Sequence, residues 1–431
     1  MILQQAAAIF VFVITFVVIL SERLHRTTAA MLGATAMLGL GMLLGFYSQE
    51  QALRAIDFNT LGLLLGMMIL VRLLQQTGFF RYIAILTGKR SRGQPWRLLV
   101  ILGAATTALS MLLDNVTTVV LVAPVTILIA EIVGLSPMPF LVAEAVLSNV
   151  GGVATLVGDP PNVMIGSAAH LTFGSFLTHL GPVVAVSWLV ALGVLRLAFH
   201  QELAQQPTGI DALLHLDENE ALQDPEGMRK GLIILGIAVA LFFVHGQLHL
   251  QPAVIAMGSA AAALFFLRPQ VDEALRQVEW GVLLFFAALF VVTGGLEAAD
   301  VLASLATKVA GLAQTNPLSA SLLLLWVAAG VSAVVDNIPF TIALIPVVQR
   351  LGELGVPIAS LWWALALGAG FGGNGTPIGA TANVIIVALS AGTRTPITSK
   401  VWLRSGLPVM LATCLVASLM LDLLFRWMSV P

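Results

Sequence analysis

The run Asn149-Val150-Gly151-Gly152-Val153-Ala154-Thr155-Leu156-Val157-Gly158-Asp159-Pro160-Pro161-Asn162-Val163 lies inside an apolar stretch spanning 139–168. A single straight helix cannot contain it. Pro160 and Pro161 stop the helix, and Gly158 lets another backbone come close. The backbone groups freed by such a break must find partners inside protein or at a water-filled site. A second run, Gly372-Gly373-Asn374-Gly375-Thr376-Pro377-Ile378-Gly379-Ala380-Thr381-Ala382-Asn383-Val384, interrupts the apolar stretch 357–391. Gly151, Gly152, Thr155, Gly158 and Asn162-Val163 match Gly372, Gly373, Thr376, Gly379 and Asn383-Val384, all at an offset of 221 (372 − 151). Ala380 stands where the first run has Asp159.

A second pair of signatures precedes these two. Leu113-Asp114-Asn115-Val116, with Pro124 behind it, recurs as Val335-Asp336-Asn337-Ile338 with Pro346, offset by 222 (336 − 114). Two polar signatures in one order, at nearly one offset, indicate a duplicated chain. Asp-Asn sits in the middle of the runs 97–133 and 317–349, each too long for one helix. Each run is either two spanning helices or a re-entrant hairpin with Asp-Asn at its tip. The hairpin shields the charged dipeptide within protein.

Composition restricts the fold class. Of 431 residues, 58% are hydrophobic and 10% charged, against about 25% charged in an average soluble domain. Mean hydropathy is +0.98. A soluble enzyme, a secreted disulfide scaffold, a nucleic-acid binder and a disordered chain are excluded, and the expected class is an all-α polytopic membrane protein. The lone Cys414 excludes an internal disulfide and a multi-thiolate metal site, and no metal or cofactor is expected. The polar stretch 200–230 separates a first repeat, 1–199, from a second, 231–431. Each repeat is expected to contain five transmembrane helices plus one re-entrant hairpin, with one helix broken. Five spans invert the second repeat relative to the first. Under that topology fifteen Lys and Arg fall on one side, four on the other, and Arg72 is left over near a helix end. By the positive-inside rule the linker is cytoplasmic and both termini lie outside, in a multi-pass protein of the cell (inner) membrane. Residues 301–312 read as a short interfacial helix.

Few side chains remain to carry chemistry. Asp114 and Asp336 are carboxylates at membrane depth, functional by default, although each also suits a helix cap. Asp159 is either a site residue or an N-cap before Pro at the first helical position. Glu144 is a proton relay or the partner of a buried neighbour. Asn115, Asn149, Asn162, Asn337, Asn374 and Asn383, with Thr155, Thr376, Thr381 and the glycines Gly151, Gly152 and Gly373, form a neutral lining around two breaks. His179 and His245 read as core or interfacial groups. No Lys or Arg is expected near the four signatures, so the site suits a cation, a proton or a small neutral polyhydroxy species rather than an anion.

These motifs resemble the ion transporter superfamily, in the branch of arsenite permeases, ArsB/NhaD-type sodium/proton antiporters and the melanosomal P-protein. The resemblance spans essentially the whole chain and implies a scaffold part and a transport part, homodimers among membrane lipids, and a site built from tips and breaks. Arsenite permeases expel neutral As(OH)3 or Sb(OH)3 in exchange for protons, which implies substrate contacts from the Asn and Thr groups and proton coupling by Asp114, Asp336, Asp159 and Glu144. The expected function is therefore arsenite/antimonite export by proton exchange, the alternative being a sodium/proton antiporter. An intramembrane aspartyl protease would want Gly-x-Gly-Asp, and here Leu156 replaces the first glycine. A channel leaves the inverted halves without purpose. No P-loop occurs, and a soluble ATPase partner has no signature in the chain.

Overall fold

The structure is a computed structural model that describes residues 2–21 and 23–429, with the side chains of Leu20, Leu305 and Val309 outside the description. Among the described residues it is helical throughout, with no strand. The first half runs α1 (Ile2–Leu20), α2 (Arg26–Leu44), α3 (Gln49–Ala55), α4 (Phe58–Gln76), α5 (Phe79–Ser91), α6 (Pro95–Ser110), α7 (Asn115–Ile132), α8 (Met138–Gly152), α9 (Pro160–Ala169) and α10 (Phe173–Ala198). After a short α11 (Ile210–His215), the same order of lengths returns. It runs α12 (Pro225–Val244), α13 (Pro252–Leu267), α14 (Val271–Arg276), α15 (Trp280–Ala298), α16 (Val301–Thr315), α17 (Pro317–Ser332), α18 (Asn337–Glu353), α19 (Ala359–Gly372), α20 (Thr381–Ser390) and α21 (Ser399–Leu423). A last turn, α22 (Phe425–Met428), follows. Eight of these helices are long and apolar enough to cross a membrane, so the chain is a multi-pass membrane protein.

All four over-long runs break at the quoted signatures. α6 begins at Pro95, where the missing N–H costs nothing, and stops at Ser110. Asp114 then caps α7 by accepting from Thr117 N at 2.8 Å. α17 and α18 repeat the pattern, with Asp336 accepting from Ile338 N at 3.3 Å. α8 and α19, with 15 and 14 residues, reach only about 21–23 Å, short of a hydrocarbon core of about 30 Å. Each crosses only together with the ten-residue helix beyond its break. Every residue from Pro139 to Gly152 and from Ser360 to Gly372 is buried, so the broken helices form the centre of the molecule. Around them, α6 packs on α8 and α17 on α19, while α9 crosses to α18 and α20 to α7. A second group pairs α4 with α13 and α2 with α15.

Loop contacts define two ends. At one, Thr27 Oγ1 donates to Gly281 O (2.8 Å), Gln223 N to Thr77 O (3.0 Å), and Thr208 N to Val133 O (3.0 Å), while Ser136 and Thr395 share a hydroxyl bond. At the other, Asn59 Nδ2 donates to Ser167 Oγ, Gln349 Nε2 to Ala168 O and Tyr47 OH to Val291 O.

Three details depart from the sequence reading. The residues 77–97, counted by their charges among the loops between apolar runs, are mostly helix α5, which starts from Gly78 at φ +86°, as α16 starts from Asp300 at φ +58°. The helix read at 301–312 extends to Thr315 and buries Leu302, Ala306, Ala310 and Ala313; Leu305 and Val309, part of that expectation, lie outside the described side chains. The linker is also shorter than 200–230, since Pro225 already opens α12. It is strapped down: Lys89 Nζ reaches Leu216 O (3.0 Å) and Glu218 Oε2 (2.5 Å). The hydrogen bond from Lys89 holds the Glu218 carboxyl below its ordinary range.

A Cβ on Gly78 would sit 1.9 Å from Ala221 O, and L residues are strained at that φ. Gly78→Ala is expected to lower the thermal midpoint in detergent, on the order of 1–3 kcal/mol for overpacking. Gly39→Ala, with nothing within 4 Å of its Cβ, is expected to leave it unchanged or raise it slightly. Equal midpoints for the two variants would show that the linker is not packed.

Candidate substrate and coupling site

Each hairpin tip is bound to the break of its own half. Thr155 Oγ1 donates to Met111 O at 2.5 Å, and Ser110 Oγ to Ser148 O at 2.7 Å. In the second half Thr376 Oγ1 donates to Ala333 O, and Ser332 Oγ to Ala369 O at 2.6 Å. The freed carbonyls of the breaks are taken up by one amide each. Asn162 Nδ2 reaches Gly152 O (3.1 Å), Val153 O (3.1 Å) and Thr155 O (2.8 Å). Asn383 Nδ2 reaches Gly373 O (2.7 Å) and Thr376 O (3.0 Å). The glycines admit the crossing of backbones: a Cβ on Gly158 would meet Gly152 O and Ser110 O at 2.6 Å. Gly151 and Gly373 pack in the same way, against Thr107 and Ala380.

The halves are then joined by side chains. Asn115 Nδ2 donates to Asn149 Oδ1 (2.9 Å), and Asn149 Nδ2 to Asn374 Oδ1 (2.9 Å) and Asn383 Oδ1 (3.0 Å). This chain runs from the first tip through α8 to the second break. In the other direction, Asn337 Nδ2 of the second tip donates to Asp159 Oδ2 of the first break at 3.0 Å. These six asparagines and Asp159 are all buried. Two atoms in the cluster, Asp159 Oδ1 and Asn374 Nδ2, have no partner among the described residues.

The three expected carboxylates around the breaks are not equivalent. Asp114 accepts from Thr117 N and, at 2.6 Å, from Thr117 Oγ1. It borders a cavity of about 20 Å³ otherwise lined by Leu, Met and Val side chains of α4, the tip and the break. Asp336 borders a cavity of about 330 Å³. The linings overlap in part at offsets of 221–222, as Leu63, Leu113, Val157 and Val163 match Phe285, Val335, Ile378 and Val384, while the larger one adds Ile19, Leu24, His25 and Arg26. The larger cavity contains a cation. Arg26 Nη1 lies 3.3 Å from Asp336 Oδ2 and 2.8 Å from Thr381 Oγ1, which donates to the same carboxylate oxygen at 2.7 Å. The expectation that no Lys or Arg lies near the signatures is therefore overturned. Arg26 is remote in sequence but opens α2, whose first turn is held against α15 by Thr27.

Glu144 is fully buried on α8 and bonds Thr126 of α7, while its Oε2 has no partner among the described residues. No hydrogen bond joins it to the cluster. His179, read as a core group, is stacked between Trp363 (4.7 Å) and Trp427 (4.6 Å). No group of three or more His, Cys, Asp and Glu that suits a metal occurs among the described residues.

Residues 16–368 match the family model described as citrate transporter. The chain belongs to that family. Similar proteins include a 46 kDa membrane protein of Mycobacterium leprae, 39% identical over 99% of this chain and 100% of that one. An uncharacterized transporter of Mycobacterium tuberculosis is 40% identical over 98% of both chains. The P protein of Homo sapiens is 32% identical over 93% of this chain and 58% of its own length. Among solved structures, the YdaH transporter of Alcanivorax borkumensis shares the fold, with a TM-score of 0.58 at 19% identity over 86% of both chains. The family match and these relatives identify a membrane transporter; the similarity to the P protein agrees with the resemblance seen in the sequence.

Asn162→Leu leaves several buried carbonyls unsatisfied, at about 1–3 kcal/mol each. It is expected to reduce the thermal midpoint more than Thr155→Val, which removes the bond to Met111 O and the one accepted from Gly158 N. A midpoint for Asn162→Leu at or above that of Thr155→Val would show that the amide does not hold the break.

Proposed function

We propose that the chain is a secondary active transporter that works by alternating access, and that it exports As(OH)3 or Sb(OH)3 in exchange for protons. The supporting observation is the buried cluster at the two breaks, built by both halves, with Asp159 Oδ1 and Asn374 Nδ2 left without partners. One free acceptor and one free donor among neutral amides match the hydroxyls of a small neutral solute, since a buried polar atom left unpaired is costly until a ligand satisfies it. The recurring element order, with the linker between equal sets of helices, supports two inverted repeats of five spans and a hairpin. The basic bias supports a cytoplasmic linker end and termini outside, in the cell (inner) membrane, and exposed apolar faces such as that of α1 suit lipid or a second copy.

Protons fit the first tip. The cavity at Asp114 has room for about one water-sized particle and lines it with apolar side chains, whereas a hard metal cation needs several oxygen ligands. A sodium/proton antiporter remains the second reading, favoured by the free carboxylate oxygen of Asp159 beside amide oxygens.

Everted vesicles carrying the protein are expected to accumulate As(III) when acidified inside. Asp114→Asn and Asp159→Asn are each expected to cut the initial rate about tenfold or more, with protein levels unchanged. Uptake no greater than in empty vesicles contradicts arsenite export, and a sodium-evoked pH change without As(III) uptake establishes the second reading.

A further inference from the structure

The two tips carry the same Asp-Asn pair at equivalent positions, yet one of them meets a residue with a fixed positive charge. We propose that Arg26 is a resident counter-cation for Asp336, so that only one of the two tip carboxylates, Asp114, exchanges protons. The inference rests on the proton-coupled reading above and assigns the coupling to one half of the duplication.

Arg26 is positioned as a built element. His25 caps α2, its Nδ1 accepting from Thr27 N at 3.3 Å. Thr27 Oγ1 ties that turn to Gly281 O, and the guanidinium lies 5.6 Å from the Phe285 ring centre. One guanidinium nitrogen is shared between Asp336 Oδ2 and Thr381 Oγ1, and Thr381 donates to the same oxygen. The carboxylate therefore meets a permanent cation and a hydroxyl donor from two separate elements. Arginine does not lose its proton in proteins, so Asp336 has its charge compensated whether or not a proton arrives. The other groups near Asp336 are His25, which lines the same cavity, and Asp159, reached through Asn337.

Asp114 has no such cation. Among the described residues its oxygens meet only Thr117 of its own helix, and the α4 side chains facing it are apolar. The charged groups within its electrostatic reach are Asp159 and Glu279, and Glu279 is already paired with Arg72 at 3.4 Å. Among the described residues Asp114 is thus a carboxylate in an apolar cavity, near other carboxylates and without a counter-cation.

The two pairs also differ in what they connect. Arg26 belongs to α2, which packs with α15 and α1, whereas Asp336 and Thr381 belong to the tip and broken helix of the second half. The ion pair thus bridges the outer group of helices and the group that carries the breaks.

The test needs no solute. Purified full-length protein is titrated between acid and neutral pH, and the protonated-carboxyl band is read from the infrared difference spectrum. Asp114→Asn is expected to remove a band component that Asp336→Asn leaves in place. Arg26→Gln is expected to gain about one further carboxyl, roughly doubling the tip contribution. The double variant R26Q/D336N is expected to lose that gain, and Arg26→Lys to match the native spectrum. Loss of a band in Asp336→Asn alone, or an Arg26→Gln spectrum identical to the native one, overturns the proposal. If Arg26→Gln does not fold, the Asp336→Asn and Asp114→Asn spectra still decide it. A negative vesicle experiment with a positive spectrum would refute the transport reading and leave the charge assignment intact.

Discussion

Two helices unwind near the middle of a membrane protein, and the backbone groups they release have no water to turn to. Every other feature of the site follows from that constraint. Asn162 and Asn383 each turn one amide back onto the carbonyls of their own break. Threonine hydroxyls then bind each break to its hairpin tip. Glycines at 152 and 158 allow the chains to cross within van der Waals distance. Once these groups are satisfied internally, the few polar atoms left over acquire meaning, because a buried polar atom without a partner is rare in a folded protein.

The same constraint links the halves. Asn149 of the first half accepts from Asn115 and donates to Asn374 and Asn383 of the second. Asn337 of the second tip returns the connection to Asp159. A movement of one tip therefore cannot leave the opposite break untouched. The cavities beside the tips differ in size and lining, about 20 Å³ beside Asp114 against about 330 Å³ beside Asp336. Duplication supplies the frame, and single substitutions against the repeat supply direction. Ala380 faces Asp159 in the alignment of the halves, and Arg26 compensates Asp336 but not Asp114.

Much of this was legible in the sequence because helix breakers and buried amides are local signals. The four interrupted runs and the polar residues gathered at the two breaks follow from Gly, Pro, Asn and Asp in apolar surroundings. Contacts between distant segments were not legible. Arg26 counts as one more loop cation by position, and only the packing of α2 against α15 carries it to Asp336. The split between structural and unpaired amides was equally hidden, since Asn162 and Asn374 read alike until the partners of each atom are known. Helix α5 was missed because its lysine and arginine residues mask a pattern that buries Phe80, Ala84 and Gly88.

Alternation between the two tip cavities is the central claim, and accessibility from each side of the membrane measures it most directly. Cys414 is the single cysteine and is buried, so Cys414→Ser gives a background for one introduced thiol. With Val334→Cys in the large cavity and Leu113→Cys in the small one, a membrane-impermeant thiol reagent is applied from either face. Val334→Cys is expected to react only from the linker face, and Leu113→Cys only from the opposite face and more slowly. Reaction of both positions from the same face would contradict alternation.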